Sequence, residues 1–473
     1  RLHRRSCVPN SRGLLIGVLA LVTGAVVALD AFGVINGPIN RALTQRTYAD
    51  EATVPALPQS GQVVPVLNPS TTVKSPAPTT AGLTKALRRV LASPSLGKDV
   101  SVVIVDGQTG QQLYARKENK PQGPASTAKL ITGIAALATL GSDTRISTHV
   151  VDNGSSITLV GGGDPTLTSK PNRKAGTASI EELATITASW LKRANRTSVV
   201  LTFDDSLFTG PTSAPTWPAS YVTSGIVAPV TALQVDRGKT NPPSRARASD
   251  PSKLAGQRFA QALTARGIAV KGAIKRATAA AGAPVIASVQ SPPITELVEV
   301  MLTESDDDVA EVLAHLAGAR AGNGGSFAGG SATIQKVLDN FKISRDGLVL
   351  FDGSGLSRSN AATPLTLAQV IYTSSRSKDR GLRSVLSGMP IAGLTGTLAD
   401  RYRTASTRAG GGVARGKTGT LTGVSSLAGT VVDRQGHPLV FVILADQLTA
   451  GGTLAARQGI DRVVATLAQC GCQ

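Results

Sequence analysis

Three short strings in this chain hold residue types suited to acyl transfer: Ser126-Thr127-Ala128-Lys129, Ser305-Asp306-Asp307 and Lys417-Thr418-Gly419. A serine hydroxyl is a weak nucleophile at neutral pH and needs a base within hydrogen-bond reach. A lysine three residues further along a helix shares the serine's face. To take a proton such a lysine must be neutral, and burial and the positive end of a helix both favour the neutral amine. A serine N–H at a helix start has no intrahelical partner and can donate to a developing oxyanion. Ser126 is therefore the candidate nucleophile and Lys129 the candidate base.

The Ser-x-x-Lys pattern alone discriminates poorly, because it occurs at Ser95, Ser126, Ser189 and Ser375. Ser95 runs into the strand-like Val100 to Val105. Ser189 falls late in a helical pattern that opens near Ser179. Ser375 lies in a polar, basic patch. Only Ser126 follows a Gly123-Pro124 break and opens an apolar helical run, Leu130 to Leu137. The Lys417-Thr418-Gly419 triplet is unique in the chain, and Thr420 follows it. The segment from Thr420 to Val432 is rich in small and β-branched residues and reads as a strand closely approached by something else. A cationic strand edge with hydroxyls suits a substrate ending in a carboxylate. Lys417 supplies charge, threonine hydroxyls supply hydrogen bonds, and Gly419 leaves room for the ligand.

As a set, these strings resemble the signature of the D-alanyl-D-alanine carboxypeptidase/endopeptidase family, the class C low-molecular-mass penicillin-binding proteins (peptidase S13-like). The resemblance implies that Ser305 relays a proton to the leaving amine. It implies that Lys417, Thr418 and Thr420 hold the terminal carboxylate, with the Thr420 N–H as second oxyanion donor. The family's asparagine, which holds the lysine and donates to the substrate, is replaced by Asp307. An ionised carboxylate accepts from lysine but cannot donate, and it favours a charged lysine. Asp306 and Asp308 read as acids favoured by a helix N-terminus. Gly161 to Leu167 and Asp352 to Asn360 resemble two further family segments; no chemistry is assigned to them.

Positioning such residues requires a particular architecture. The expected fold is α/β (α+β): a transpeptidase/β-lactamase-like domain with an antiparallel sheet flanked by helices, plus inserted smaller α/β domains. The gap from Ser126 to Ser305 exceeds what a compact β-lactamase needs. Residues 81–149 and 291–473 are assigned to the catalytic domain and 150–290 to the insertion. Expected strands are Ser101–Asp106, Gln111–Ala115, Ile146–Val151, Ser156–Val160, Ser198–Phe203, Val270–Ala273, Leu421–Val432 and Leu439–Ala445. Expected helices include Leu83–Leu91, Ile180–Lys192, Pro251–Arg266, Ile294–Leu302, Ala332–Asn340, Thr366–Ser374 and Thr453–Ala468. Strands at both chain ends around a helical cluster suggest one sheet built from both ends.

Four N-terminal arginines, Arg1, Arg4, Arg5 and Arg12, precede the apolar run Leu14 to Leu29. Residues 1–35 read as a signal peptide or membrane anchor. Residues 36–80 read as a Pro/Ser/Thr-rich linker. Either leader sends the body outside the cytoplasm, to the cell envelope. The net charge of +19 fits attraction to an anionic envelope, and an exported protein is not expected to bind nucleic acid. The three cysteines and four histidines form no metal pattern, so no metal or cofactor is expected. A bond between Cys470 and Cys472 is conceivable but strained, and no role is assigned to it. The expected function is an exported serine D-alanyl-D-alanine carboxypeptidase/endopeptidase acting on peptidoglycan stem peptides, with β-lactam antibiotics as covalent inhibitors. The alternatives are a β-lactamase or esterase of the same fold, or a catalytically weak peptidoglycan-binding protein.

Overall fold

The computed structural model describes residues 75–172, 176–242 and 244–473. The leader at 1–35 and the linker as far as residue 74 lie outside the described residues. The last linker residues already belong to the folded body: Ser75 is buried, and its carbonyl lies 3.0 Å from His437 Nδ1. Among the described residues, no helix is long and apolar enough to cross a membrane.

The elements run α1 (Thr80–Leu91), β1 (Asp99–Asp106), β2 (Gln112–Arg116), α2 (Ala128–Leu140), β3 (Arg145–Asp152), β4 (Ser156–Val160), α3 (Ile180–Arg193) and β5 (Ser198–Asp204). Then come α4 (Pro251–Thr264), β6 (Ala269–Arg276), β7 (Val285–Pro293), α5 (Ile294–Thr303), α6 (Asp307–Arg320), α7 (Phe327–Asn340) and α8 (Pro364–Arg376). The chain closes with β8 (Ala414–Leu421), β9 (Val424–Val432), β10 (Pro438–Asp446) and α9 (Thr453–Ala468).

One sheet has the order β2-β1-β10-β9-β8 and is antiparallel throughout. It joins the two chain ends, with Asp99 opposite Asp446 and Asp106 opposite Leu439. Its central strands are apolar on both faces because both are covered. Val102, Ile104, Phe441 and Ile443 share one core with Leu83, Leu87, Ile460 and Val464 of α1 and α9. The alternate residues Val103, Val105, Val440 and Val442 join Ile131, Ile134, Val370 and Ile371 of α2 and α8. That division is the two-residue period of a strand. Helix α2 is buried on every side from Ala128 to Leu137, as expected of a helix lacking a polar face.

A second sheet, β6-β5-β4-β3-β7, is mixed. Strands β4, β5 and β6 pair in parallel, while β3 pairs antiparallel with both β4 and β7. It has its own core, including Ile157, Leu201, Phe203, Leu183 and Phe259.

Three expectations need correction. The expected single strand Leu421–Val432 is the hairpin β8–β9, reversed at Thr422-Gly423, where Gly423 takes φ +82°. Strand β7 was not expected, because its alternation ends in Pro292-Pro293. Helix α7 starts at Phe327 rather than Ala332: Ser326 caps it through Gly329 N, so its glycines lie inside the first turn.

Candidate active site

The Pro124–Ala125 break makes a tight turn ahead of α2. Ala125 has φ +48°, a region that costs a non-glycine residue on the order of 1–2 kcal/mol. Neighbours hold the turn there. Thr127 Oγ1 and Ser426 Oγ donate to the Pro124 carbonyl at 2.6 and 2.9 Å. Two glycines lie against it. A Cβ on Gly355 would sit 1.9 Å from the Ala125 carbonyl oxygen, and one on Gly419 would sit 2.7 Å from the Pro124 oxygen. The missing Gly419 side chain thus makes space for the nucleophile's own turn.

Ser126 follows, half-buried, and Lys129 lies fully buried in the first turn of α2. Lys129 Nζ is 2.9 Å from Ser126 Oγ, 2.6 Å from Asp307 Oδ1 and 2.7 Å from the Ser354 carbonyl. An ammonium would donate all three hydrogens here. A neutral amine would keep two donors and turn its lone pair to the Ser126 hydroxyl. Glu311 fixes the Ser354 peptide from behind, accepting from Gly353 N at 3.0 Å and Ser354 N at 2.7 Å. Burial, reinforced by nearby Asp352, pushes the Glu311 carboxyl up to about 8. Asp352 in turn accepts from Gly355 N, Asn360 Nδ2 and Trp217 Nε1.

Ser305 sits at the corner between α5 and α6. It takes φ +58°, and the next N–H, of Asp306, reaches back to the Met301 carbonyl at 3.0 Å. Helices that end this way usually place glycine at that position. A serine there accepts backbone strain and gains a hydroxyl aimed at Lys417, whose Nζ is 2.7 Å away. Lys417 is fully buried. Burial first, and then the positive charge of Lys129, hold its amine well below the ordinary lysine range, against the pull of Asp307. Burial raises the Asp307 carboxyl, outweighing the opposing pull of Lys129 and Lys417. The result is two serine–lysine pairs, Ser126–Lys129 and Ser305–Lys417, with Asp307 in contact with the first.

The three consecutive aspartates have three different cationic partners. Asp306 is the N-cap of α6 through Val309 N, and it pairs with Arg237 at 2.8 Å. Asp307 pairs with Lys129. Asp308 is buried, pairs with Arg247 at 2.8 Å and accepts from Ala228 N at 2.7 Å. Burial pushes its carboxyl up to about 7. Asp306 and Asp308 are thus more than helix-end acids: they tie the Ser305 corner to the segment 228–247.

On β8, Lys417 and Gly419 lie on one face and Thr418 and Thr420 on the other. Thr418 Oγ1 is 2.9 Å from Thr397 Oγ1, and Thr420 Oγ1 accepts from Arg457 Nη2 at 3.2 Å. Strand β8 is the edge of its sheet. Sequence reasoning missed Glu311, Ser354, Thr397 and Arg457. The Asp352–Asn360 run was the one available signal for the Ser354 carbonyl. Cys470 and Cys472 are joined as a disulfide. No group of acids, histidines and cysteines able to hold a metal occurs among the described residues.

Comparison with known proteins agrees with this geometry. The chain is 36% identical to carboxypeptidase DacB of Mycolicibacterium smegmatis, over 97% of this chain and 96% of the relative. It is 35% identical to a carboxypeptidase of Mycobacterium tuberculosis, over 87% of each. Among solved structures, penicillin-binding protein 4 (dacB) of Haemophilus influenzae shares the fold, with a TM-score of 0.67 at 21% identity. That match covers 80% of this chain and 97% of the other. Residues 83–247 and 240–469 match the family described as D-Ala-D-Ala carboxypeptidase 3 (S13), and the chain belongs to that family.

Proposed function

We propose that this protein is an exported serine D-alanyl-D-alanine carboxypeptidase/endopeptidase that cleaves peptidoglycan stem peptides through an acyl-enzyme on Ser126. The observation that carries this reading is the neighbouring pair of linked groups: Ser126, Lys129 and Asp307 at 2.6–2.9 Å, and Ser305 and Lys417 at 2.7 Å, with Lys417 close enough to feel the charges of Lys129 and Asp307. In this mechanism Lys129 takes the Ser126 proton as Oγ bonds to the penultimate D-alanine carbonyl carbon. The N–H groups of Ser126 and Thr420 hold the oxyanion. Collapse breaks the C–N bond; Ser305, beside the suppressed amine of Lys417, gives its proton to the leaving nitrogen and takes back the one that Lys129 had gained. Water then attacks the ester, Lys129 takes its proton, and that proton passes to Ser126 Oγ as the ester C–O bond breaks.

Lys417, Thr418 and Thr420 take the substrate's terminal carboxylate, and Asp307 steers Lys129. The buried, low-lying amine of Lys417 suits proton relay through Ser305. The substrate class puts the site outside the cytoplasm, in the cell envelope. The Haemophilus influenzae relative has been solved with a β-lactam bound, which supports β-lactams as acylating inhibitors here. The separate sheet, whose first strand starts at Arg145 and whose last ends at Pro293, and the core that lies within 150–290 support reading that region as an insertion in the catalytic domain of 81–149 and 291–473.

The test is mass spectrometry after incubation with a labelled penicillin, alongside D-alanine release from a stem peptide. Label on Ser126, lost in Ser126→Ala together with D-alanine release, is expected. Label on another residue, or none, overturns the site. Rapid penicillin turnover would place the protein with β-lactamases instead.

A further inference from the structure

Arg457, on the first turns of α9, stands apart from its neighbours. Its side chain is exposed, and its one side-chain hydrogen bond among the described residues goes to the Thr420 hydroxyl. The natural partner for an arginine on a helix is a carboxylate four residues on, which here is Asp461. Asp461 is already committed: it is buried and takes both Nε and Nη2 of Arg401, at 3.1 and 2.6 Å. Arg401 Nη2 also reaches the Arg457 carbonyl at 3.4 Å, so the same pair steadies the helix where Arg457 leaves it. Arg403 is paired with Asp400, and Arg462 donates to Ser95. Arg457 is therefore the cation of this group left facing β8. It lines a cavity of about 450 Å³ that Thr397 also lines, and Thr397 touches the Thr418 hydroxyl.

We infer that Arg457 is a specificity-determining residue that reads the substrate's terminal carboxylate together with Thr418 and Thr420. This rests on the acyl-transfer reading of the site. The argument is one of faces. Lys417 points to the inner side of β8, where Ser305 occupies it. The two threonine hydroxyls point to the other side, where Arg457 adds an exposed positive charge beside Thr420. Its planar fork can hold Thr420 with one nitrogen and a carboxylate oxygen with another.

The experiment compares two stem peptides with the full chain under single-turnover conditions. One ends in D-Ala-D-Ala with a free carboxylate and the other carries a C-terminal amide. In Arg457→Ala, acylation by the carboxylate peptide is expected to fall about 10- to 100-fold, the scale of one charge-assisted hydrogen bond. Acylation by the amide peptide should change less than about threefold, and Arg457→Lys should recover part of the loss. A loss shared equally by both peptides, or no loss with the carboxylate peptide, overturns the assignment while Ser126 chemistry stands. Failure of the wild type to acylate with either peptide or with penicillin overturns both readings.

Discussion

Replacing Asp307 by asparagine isolates one charge at the centre of the site. Asp307 Oδ1 lies 2.6 Å from Lys129 Nζ, and its side chain is 19% exposed. A carboxylate at that distance favours the ammonium, the form that cannot take the Ser126 proton. Removing a touching unit charge shifts the protonation of an amine by about 1–3 pH units. Partial solvent contact points to the lower part of that range. In Asp307→Asn the acidic limb of acylation against pH should therefore move about 1–2 units lower. On that limb the rate should rise about 10- to 100-fold, because each unit is a factor of ten in the neutral fraction. The new amide can still accept from Lys129 and gains a donor for the substrate's amide carbonyl. The assay is the second-order acylation rate with a fluorescent penicillin, read across the pH range by intact-protein mass. A rate that falls tenfold at every pH, or a limb that stays in place, would falsify this account of Asp307.

Two further perturbations test how α6 is held. His315 packs against Phe208 and Phe327, with ring centroids 5.1 and 4.6 Å away, and burial pushes it down to about 4 from 6.5. The unfolded chain binds more protons between those values. The stabilisation is whole above pH 6.5 and declines as pH falls towards 4, by up to about 3 kcal/mol; His315→Phe should flatten that stretch of a denaturation-against-pH curve, and an unchanged slope would refute it. Arg247→Met strands the buried Asp308 carboxylate, so chemical denaturation should show a loss of about 3–5 kcal/mol above pH 7. The loss should shrink below pH 7, where Asp308 takes a proton, and Asp308→Asn in the same chain should restore most of it; a pH-independent loss argues against the ion pair as the cause.

What was legible in the sequence was local. Ser126 and Lys129 are three residues apart on a helix start, so their meeting follows from helical geometry. Lys417 was legible because its triplet is unique. The sheet from both chain ends followed from apolar runs that match β1 and β10. Other features depend on partners far along the chain. Arg237 and Arg247 carry no local sign of docking on Asp306 and Asp308. Glu311 reads as an ordinary helical glutamate until the fold sets it behind Gly353 and Ser354. Gly419 signals a close approach in the sequence, but only the fold shows that the turn before Ser126 is part of what approaches it. The β8–β9 boundary was lost because Thr422-Gly423 sits in a run of equally small residues.

The pairing of β1 with β10 also constrains the order of events during synthesis. Strand β10 is the inner neighbour of β1, and the Thr79 N–H donates to the carbonyl of Cys472 at 2.7 Å. A chain emerging from the ribosome N-terminus first exposes β1 and β2 long before their partner exists. Such distant closure is slow to nucleate. The serine's pocket, with β8 as one wall, cannot assemble until the final stretch has been made. The chain thereby stays chemically silent until β8 and β10 have both emerged.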